Sequence, residues 1–407
     1  LEKIKLFYFG DSPSVHTGFG VAAKHILNHI LKSSDDFAIS CLGINFYGDP
    51  HDQNHLNVYP VTTNDPYGIG RFNELLYKLN PDVIFTINDY DALFMLKDIV
   101  SQFRQKTNKN VPWIGYIPVD GEPVYPEYTS FLRTLDYVAV TSKYGRESIK
   151  KTDSGLDLDV VYHGVDRTIF HPMPEDKKKA LKDGIGPDSF IVGSVGTNQL
   201  RKQWALMMEV FAEFSKDKPN AKFYMHTQPK FQGGYDVLRL GRYYGIDSKM
   251  YFPDQLRGAM GIDFSHMNQM YNLLDVYLTL HCGEGFGIPQ LESMAAGTPV
   301  ITHRATASEE IMGDAGILID TEWTHIYPFG DRGLIRPIAN KQQALSALNT
   351  LYSNEALRKE LSVKGIERSK LFSWTDATIK FEDGIRKAYT NSLQPVVAKE
   401  IELAKLL

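Results

Sequence analysis

Two carboxylates around a glycine-rich loop are the part of this sequence best equipped for chemistry. Glu284 lies between Gly283 and Gly285, Gly287 follows, and Glu292 comes eight positions after Glu284. The apolar run 276–280 before them reads as a strand. Pro289 and Gly297 bracket a helix, because proline fits a first helical turn and glycine fits just past a last one. Gly285 and Gly287 therefore take side chains away from a loop at the C-terminal end of a strand. A ligand can touch backbone N–H groups there, and the helix dipole favours an anion. Glu284 before the helix and Glu292 in its expected first turn both face the crevice, and ionised carboxylates accept hydrogen bonds from sugar and ribose hydroxyls. Such a constellation suits a phosphorylated polyol. Glu292 alone has a plainer reading as a carboxylate placed for the helix dipole.

A second glycine-bearing loop, 10–20, follows the first strand-like run, where Gly18 and Gly20 permit a backbone to approach a phosphate or simply open a helix. Asp120 ends another strand-like run and points towards the cleft expected between two domains, although Asp120-Gly121 is equally a turn. Of the histidines, His281 included, the plain reading as ordinary packed or surface residues is preferred.

These loops need a scaffold, and the rest of the sequence supplies one. Short apolar runs bounded by Gly, Asp or Pro alternate with stretches of helical period, the pattern of parallel α/β architecture. Strands are expected at 4–10, 37–44, 57–61, 82–87, 111–119, 137–141 and 160–162, with helices near 20–32, 68–79, 91–105 and 143–152. A polar interval at 170–176 leads into a short helix, and the pattern restarts with strands at 190–195, 222–225, 250–252, 276–280, 299–302 and 316–319. Residues 341–391 read as helical throughout, and 395–407 as a closing amphipathic helix, with Val397, Ile401 and Ala404 at helical spacing, that packs on the protein. The expected fold is α/β: two doubly wound Rossmann-like domains, 1–170 and 171–385, facing each other across a cleft, with 386–407 returning to the N-terminal domain. The cleft is the default ligand site.

Charge and composition exclude several roles. The chain carries 44 Lys+Arg against 49 Asp+Glu, and residues 1–170 hold 16 of the basic and 21 of the acidic side chains, so the net −5 belongs wholly to the first part. A mildly acidic chain without a long Lys/Arg run is poorly matched to nucleic acid. No run approaches the roughly 20 apolar residues that span a bilayer. Cys41 and Cys282 are too few for a disulfide framework or a zinc module. With no secretory leader pattern at the start, the expectation is a cytoplasmic location.

The run from Asp275 to Ile301 resembles, almost continuously, the Glu-x7-Glu signature of retaining glycosyltransferases of family four, which have the two-domain GT-B fold. Other pieces are similar to that family in the same order. Residues 160–172 resemble its interdomain passage, and 192–196 with Arg201 and Lys202 resemble its first C-domain strand and phosphate-binding basic pair. Glu310-Ile311 and Phe372-Ser373-Trp374 resemble later landmarks, the latter the start of the final helix. The similarity is continuous over about 160–390 and sparser before it.

The resemblance implies that 1–170 binds an acceptor and 171–385 a nucleotide sugar. Glu284 would hold hydroxyls of the transferred sugar, Glu292 the nucleotide ribose, and Phe286, Gly287 and Ile288 would contact the donor. Gly18 and Gly20 would belong to a loop closing over the diphosphate. Arg201 and Lys202 would neutralise the diphosphate as the glycosidic bond breaks, so that no metal and no cofactor beyond the donor is implied. Two positions depart from the family: Asp120 stands near where many relatives have a sugar-contacting histidine, and Thr197 where an arginine commonly follows the glycine. Asp120 could take over the sugar contact and Arg201 the missing charge.

The activity implied is transfer of a hexose, with retention, from a nucleotide-diphosphate donor to a hydroxyl. GDP-mannose is preferred over UDP-glucose or UDP-N-acetylglucosamine, and loops 225–229 and 252–255 are placed to read the base. The partners expected are the donor and a glycan, lipid-linked or protein acceptor, with no nucleic acid and no membrane span; a homodimer stays open. So do a nucleotide-sugar epimerase of the same fold, for which only Asp120 and His16 offer an acid and a base, and a relative that binds nucleotide sugar without catalysis. A dehydrogenase fits poorly, because no Gly-x-Gly-x-x-Gly follows the first strand.

Overall fold

Val83–Ile87 and Trp113–Ile117 are buried at every position, as befits strands covered by helices on both faces. The computed structural model, which describes residues 2–53, 55–253, 263–326 and 333–393, places them within the first of two large sheets. Its strands are β1 (Ile4–Asp11), β2 (Phe37–Ile44), β3 (His51–Gln53), β4 (Leu56–Pro60), β5 (Val83–Ile87), β6 (Trp113–Ile117), β7 (Tyr137–Val140) and β8 (Asp159–Val160). They run in the order β3-β4-β2-β1-β5-β6-β7-β8, parallel throughout except for the β3–β4 pair. Alternation along β1 sends Phe7 and Phe9 to a core shared with Phe72 and Trp113, and Leu6 and Tyr8 to a core on the opposite face with Phe85 and Tyr116.

The second sheet is built from β9 (Phe190–Val195), β10 (Ala221–His226), β11 (Met250–Tyr251), β12 (Val276–Thr279), β13 (Val300–His303) and β14 (Ile317–Ile319), in the order β11-β10-β9-β12-β13-β14. Its strand order reverses between β9 and β12, and in a doubly wound sheet the crevice beyond the carboxyl ends of the strands at that reversal is where ligands bind. The first sheet reverses likewise between β1 and β5. The two crevices face each other: a Cβ placed on Gly18, just after β1, would lie 3.8 Å from the Ile288 side chain, just after β12. Two doubly wound domains across a cleft are therefore present as the alternation of runs implied.

Helix Trp374–Ser392 crosses back to the first sheet, burying Trp374, Ala377, Phe381, Ile385 and Ala388. The Phe381 ring lies 4.6 Å from that of Tyr116 and 5.3 Å from that of Phe85. The returning helix thus begins at Trp374, earlier than the 386–407 segment read from the sequence; residues 394–407, with Val397, Ile401 and Ala404, lie outside the described residues. Its start is fixed by Ser373, whose hydroxyl accepts from the Thr375 and Asp376 backbone N–H groups, and by Val165, whose N–H donates to the Phe372 carbonyl at 3.2 Å.

Three local expectations change. The single helix read over 91–105 is two, Tyr90–Phe94 and Lys97–Thr107, because the chain turns through Leu96, which is buried beneath them. Helix Ile288–Ala295 starts one residue early, so Glu292 is its fifth residue and not in the first turn. An antiparallel ribbon, β15 (Thr321–Ile326) with β16 (Ile335–Ala339), has no counterpart in the sequence reading. Every residue of β15 is exposed, so it carries no apolar alternation to read. No helix among the described residues is long and apolar enough to cross a membrane.

The close approach at Gly164 is a sharp test of this arrangement, since a Cβ there would sit 2.1 Å from the Trp374 backbone nitrogen. Gly164→Ala must push the returning helix off the first sheet. Overpacking of this kind costs about 1–3 kcal/mol, and urea unfolding should show at least the lower end of that loss.

Candidate functional site

The turn after β9 presents two cations. Leu200–Lys202 forms one turn of 3-10 helix and Gln203 closes it at a φ of 54°. The buried Asn198 amide fastens the turn, its Nδ2 donating to the carbonyls of Gln228 (2.9 Å) and Tyr235 (2.7 Å) while its Oδ1 accepts from the Tyr235 N–H (2.9 Å). The Lys202 stem packs over Gly196, where a Cβ would lie 3.4 Å from its Cδ and Cε. The loop after β12 is tied to the same turn, because the Cys282 N–H donates to the Arg201 carbonyl at 2.8 Å. Thr306 fixes the next residue from the other side: its hydroxyl accepts from the Glu284 N–H at 2.9 Å and donates to the Glu284 carbonyl at 2.8 Å.

Glu284 then falls between both cations. Lys202 Nζ donates to its Oε1, and Arg201 Nη1 approaches Oε2 at 3.2 Å while donating to the Gly283 carbonyl at 2.7 Å. Burial alone would raise the Glu284 pKa, but Lys202 and then Arg201 outweigh it and hold the carboxyl well below the ordinary range. Asp120, reaching in from the loop after β6, lies 3.5 Å from Arg201 Nε. Its other oxygen is 3.4 Å from the guanidinium of Arg336, which also donates to the Asp120 carbonyl. The structure thus brings together the four sequence-derived candidates Glu284, Lys202, Arg201 and Asp120. It adds a fifth residue, Arg336 of β16, only 1% exposed.

Glu292 occupies a different setting. It faces a crevice lined by Val21, His25, Gly164, Asp166, Phe264 and Ile288, and the Tyr271 hydroxyl donates to its Oε2 at 2.9 Å. Burial raises its pKa to about 8, the Tyr271 hydrogen bond opposing. One carboxyl of the pair is therefore held ionised and the other protonated at neutral pH, so their environments separate their roles.

The remaining candidates divide. Ile288 lines the Glu292 crevice and faces Gly18. The Phe286 ring is buried against Tyr162, His163 and Phe372, so only its backbone is left for a ligand. Gly287, at a φ of 99°, opens the helix with the Gln290 amide packed over it. At Gly20 the space of a Cβ is taken by the Val15 carbonyl of its own loop, and its N–H donates to the Thr17 hydroxyl at 3.0 Å. That glycine serves the tightness of the loop. Of the loops expected to read the base, 254–255 lie outside the described residues.

The two domains meet at this site through hydrogen bonds. Thr141 Oγ1 donates to the Gly285 carbonyl at 2.7 Å. Glu310, carried by helix Ser308–Met312 of the second domain, accepts from the backbone N–H groups of Lys143 (2.9 Å) and Tyr144 (3.0 Å) and from the Tyr162 hydroxyl (2.9 Å). A carboxylate from one domain therefore caps the positive end of helix Lys143–Thr152 in the other. Thr141, Thr306 and Arg336 were invisible to sequence reasoning as site residues. For Arg336 the traces are Gly121 and Gly283, both of which lack a Cβ where its guanidinium passes.

Residues 187–325 match the family model described as glycosyl transferases group 1. The O-antigen chain mannosyltransferase B of Escherichia coli is 32% identical over 97 residues, 23% of this chain and 20% of that protein. The chain spans only 20%, 59% and 53% of the length of the first curated relatives it matches. Among solved structures, sucrose-phosphate synthase of Thermosynechococcus elongatus superposes with a TM-score of 0.76 at 16% identity, over 96% of this chain and all of the other. Anabaena HepE, in a complex with UDP and glucose, superposes with a TM-score of 0.68 at 16% identity, over 94% of this chain and 100% of its own. The chain has the GT-B fold of these proteins, and the segment carrying Arg201, Lys202, Glu284 and Glu292 is the one similar to group 1 glycosyl transferases.

Proposed function

We propose that the protein is a retaining glycosyltransferase of the family-four type that moves a hexose from a nucleoside-diphosphate donor to an acceptor hydroxyl. The observation that carries this reading is the Glu284 carboxylate held between Lys202 and Arg201 at the switch point of the second sheet. A nucleotide sugar needs these two groups side by side, an acceptor of sugar hydroxyl protons and a cationic cradle for the diphosphate.

The donor's diphosphate replaces Glu284 as the main partner of Lys202 and Arg201, and Glu284 turns to the sugar hydroxyls. Glu292 lies beyond, in the crevice towards helix Gly18–Ser33, and takes the ribose. In the reaction an acceptor oxygen bonds to the anomeric carbon as the bond from that carbon to the phosphate oxygen breaks. The departing β-phosphate oxygen receives the acceptor proton, on the same face, and configuration is retained. Lys202 and Arg201 stabilise the charge that grows on the leaving group, an electrostatic contribution that needs no reorganisation because the turn is already fastened by Asn198. These cations do the work a metal does in other transferases, so turnover should persist in EDTA. The donor proposed first is GDP-mannose, in keeping with the mannosyltransferase name of a similar protein. A uridine donor is the second reading, favoured by the UDP and glucose bound in HepE.

Calorimetric titration with GDP-mannose, UDP-glucose and UDP-N-acetylglucosamine tests the whole proposal; a panel with no binder overturns it. With the donor in hand, Glu284→Gln and Lys202→Ala should each lower kcat by about 10²–10³, the size of loss seen when one stabilising group is removed. Full turnover in both variants would discard the assignment.

Glu292 gives a signature in pH. Its folded pKa, about 8, lies above the ordinary 4.5, so the unfolded chain loses this proton first. Between those two values stability falls as pH rises, by at most about 1.4 kcal/mol per unit, and above 8 the loss is complete. Glu292→Gln removes that loss, so urea unfolding should show the variant gaining on the native protein from pH 5 to pH 8. A constant difference across that range would mean that Glu292 is ionised in the folded state.

A further inference from the structure

The candidate site includes a charged residue, Arg336, that lies outside both the family-model match, which ends at 325, and the sequence motifs. It is the most deeply buried cation of the group, at 1% exposure. It comes from β16, whose first residue bridges the domains, the Ile335 N–H donating to the Glu122 carbonyl at 2.6 Å. Gly121 and Gly283 both leave open the space its guanidinium crosses; a Cβ on either would come within 2.8 Å and 2.2 Å of Nη1. The chain has thus cleared a passage for this side chain from the ribbon to Asp120.

Its partners explain the arrangement. Asp120 stands between Arg336 at 3.4 Å and Arg201 at 3.5 Å, and Glu284 stands between Arg201 and Lys202. The five side chains alternate in sign along a line, Arg336, Asp120, Arg201, Glu284, Lys202, with a cation at each end. Asp89 adds a further negative charge in range of Arg201. Removing Arg336 takes one positive charge from this set and leaves Asp120 drawing more strongly on Arg201.

We propose that Arg336 is a positioning residue for the nucleoside diphosphate: by engaging Asp120 it keeps Arg201 and Lys202 net positive towards the ligand. The inference rests on the reading of this cleft as a nucleoside-diphosphate site. It makes the ribbon, and not only the glycine-rich loop, a determinant of donor affinity, and it gives Asp120 an electrostatic place in that affinity separate from any contact with sugar.

The test is calorimetric titration with UDP and GDP, using whichever the native protein binds. Arg336→Met should weaken binding by about tenfold or more, since a buried charge partner is removed. Adding Asp120→Asn to it restores the net charge of the set and should bring the affinity back to within about threefold of native, although two native side chains are then missing. Asp120→Asn alone should bind as tightly as the native protein or tighter, and Arg336→Lys should stay near native because it keeps the charge. A side chain needed only for folding would give no recovery in the double variant, and that result, or native affinity in Arg336→Met, overturns the proposal. If Arg336→Met does not fold, Asp120→Asn and Arg336→Lys decide: weaker binding in the first, or a tenfold loss in the second, overturns it. Failure of the native protein to bind either diphosphate would instead overturn the functional reading on which the inference stands.

Discussion

Glu284 is a carboxylate whose pKa burial alone would raise, and it stays ionised because two cations reach it from a turn that is itself pinned. Much else in the cleft follows from that constraint. Arg201 and Lys202 can stay half-buried beside one another because the carboxylate separates them, and breaking such a set by removing one member leaves a charge stranded. The Asn198 amide, the Thr306 hydroxyl and the bond from Cys282 to Arg201 all hold backbone at the two ends of this ion pair. The strands of the second sheet do not supply this charge. They bring two loop ends within reach of each other by reversing order between β9 and β12.

The sequence made much of this legible, for physical reasons that can be located. Parallel strands buried on both faces appear as unbroken apolar runs, so Val83–Ile87 and Trp113–Ile117 stand out without periodicity. Helix Ile288–Ala295 is punctuated by Pro289 and Gly297, residues whose backbone limits are local. The glycines at 285 and 287 and the carboxylates around them lie in one continuous stretch, so their proximity needs no tertiary argument.

What escaped was what tertiary structure alone brings together. Arg336 sits 216 positions from Asp120, on a ribbon whose outer strand is wholly exposed and carries no pattern. Thr141 and Thr306 act through single hydroxyls that look like any other threonine in a loop. Gly20 carries a second demand: in a loop suited to phosphate, its own loop also requires a glycine, because the Val15 carbonyl fills the space of a Cβ. The two glutamates, similar in sequence terms, differ most of all once folded, since one has two cations beside it and the other a tyrosine hydroxyl.

Glu310 adds something about how the halves of the molecule are aligned. Its two oxygens meet two successive backbone N–H groups, one each, at the start of helix Lys143–Thr152. An apolar contact between domains resists separation yet lets the surfaces slide, because dispersion is indifferent to direction. A forked acceptor on a pair of donors is not indifferent: it fixes translation along the helix axis and rotation about it, since either movement costs one of the two bonds. The closed arrangement therefore behaves as a keyed joint, with its angular setting written into peptide geometry, and the Thr141 bond to Gly285 turns that setting directly onto the loop that carries Glu284.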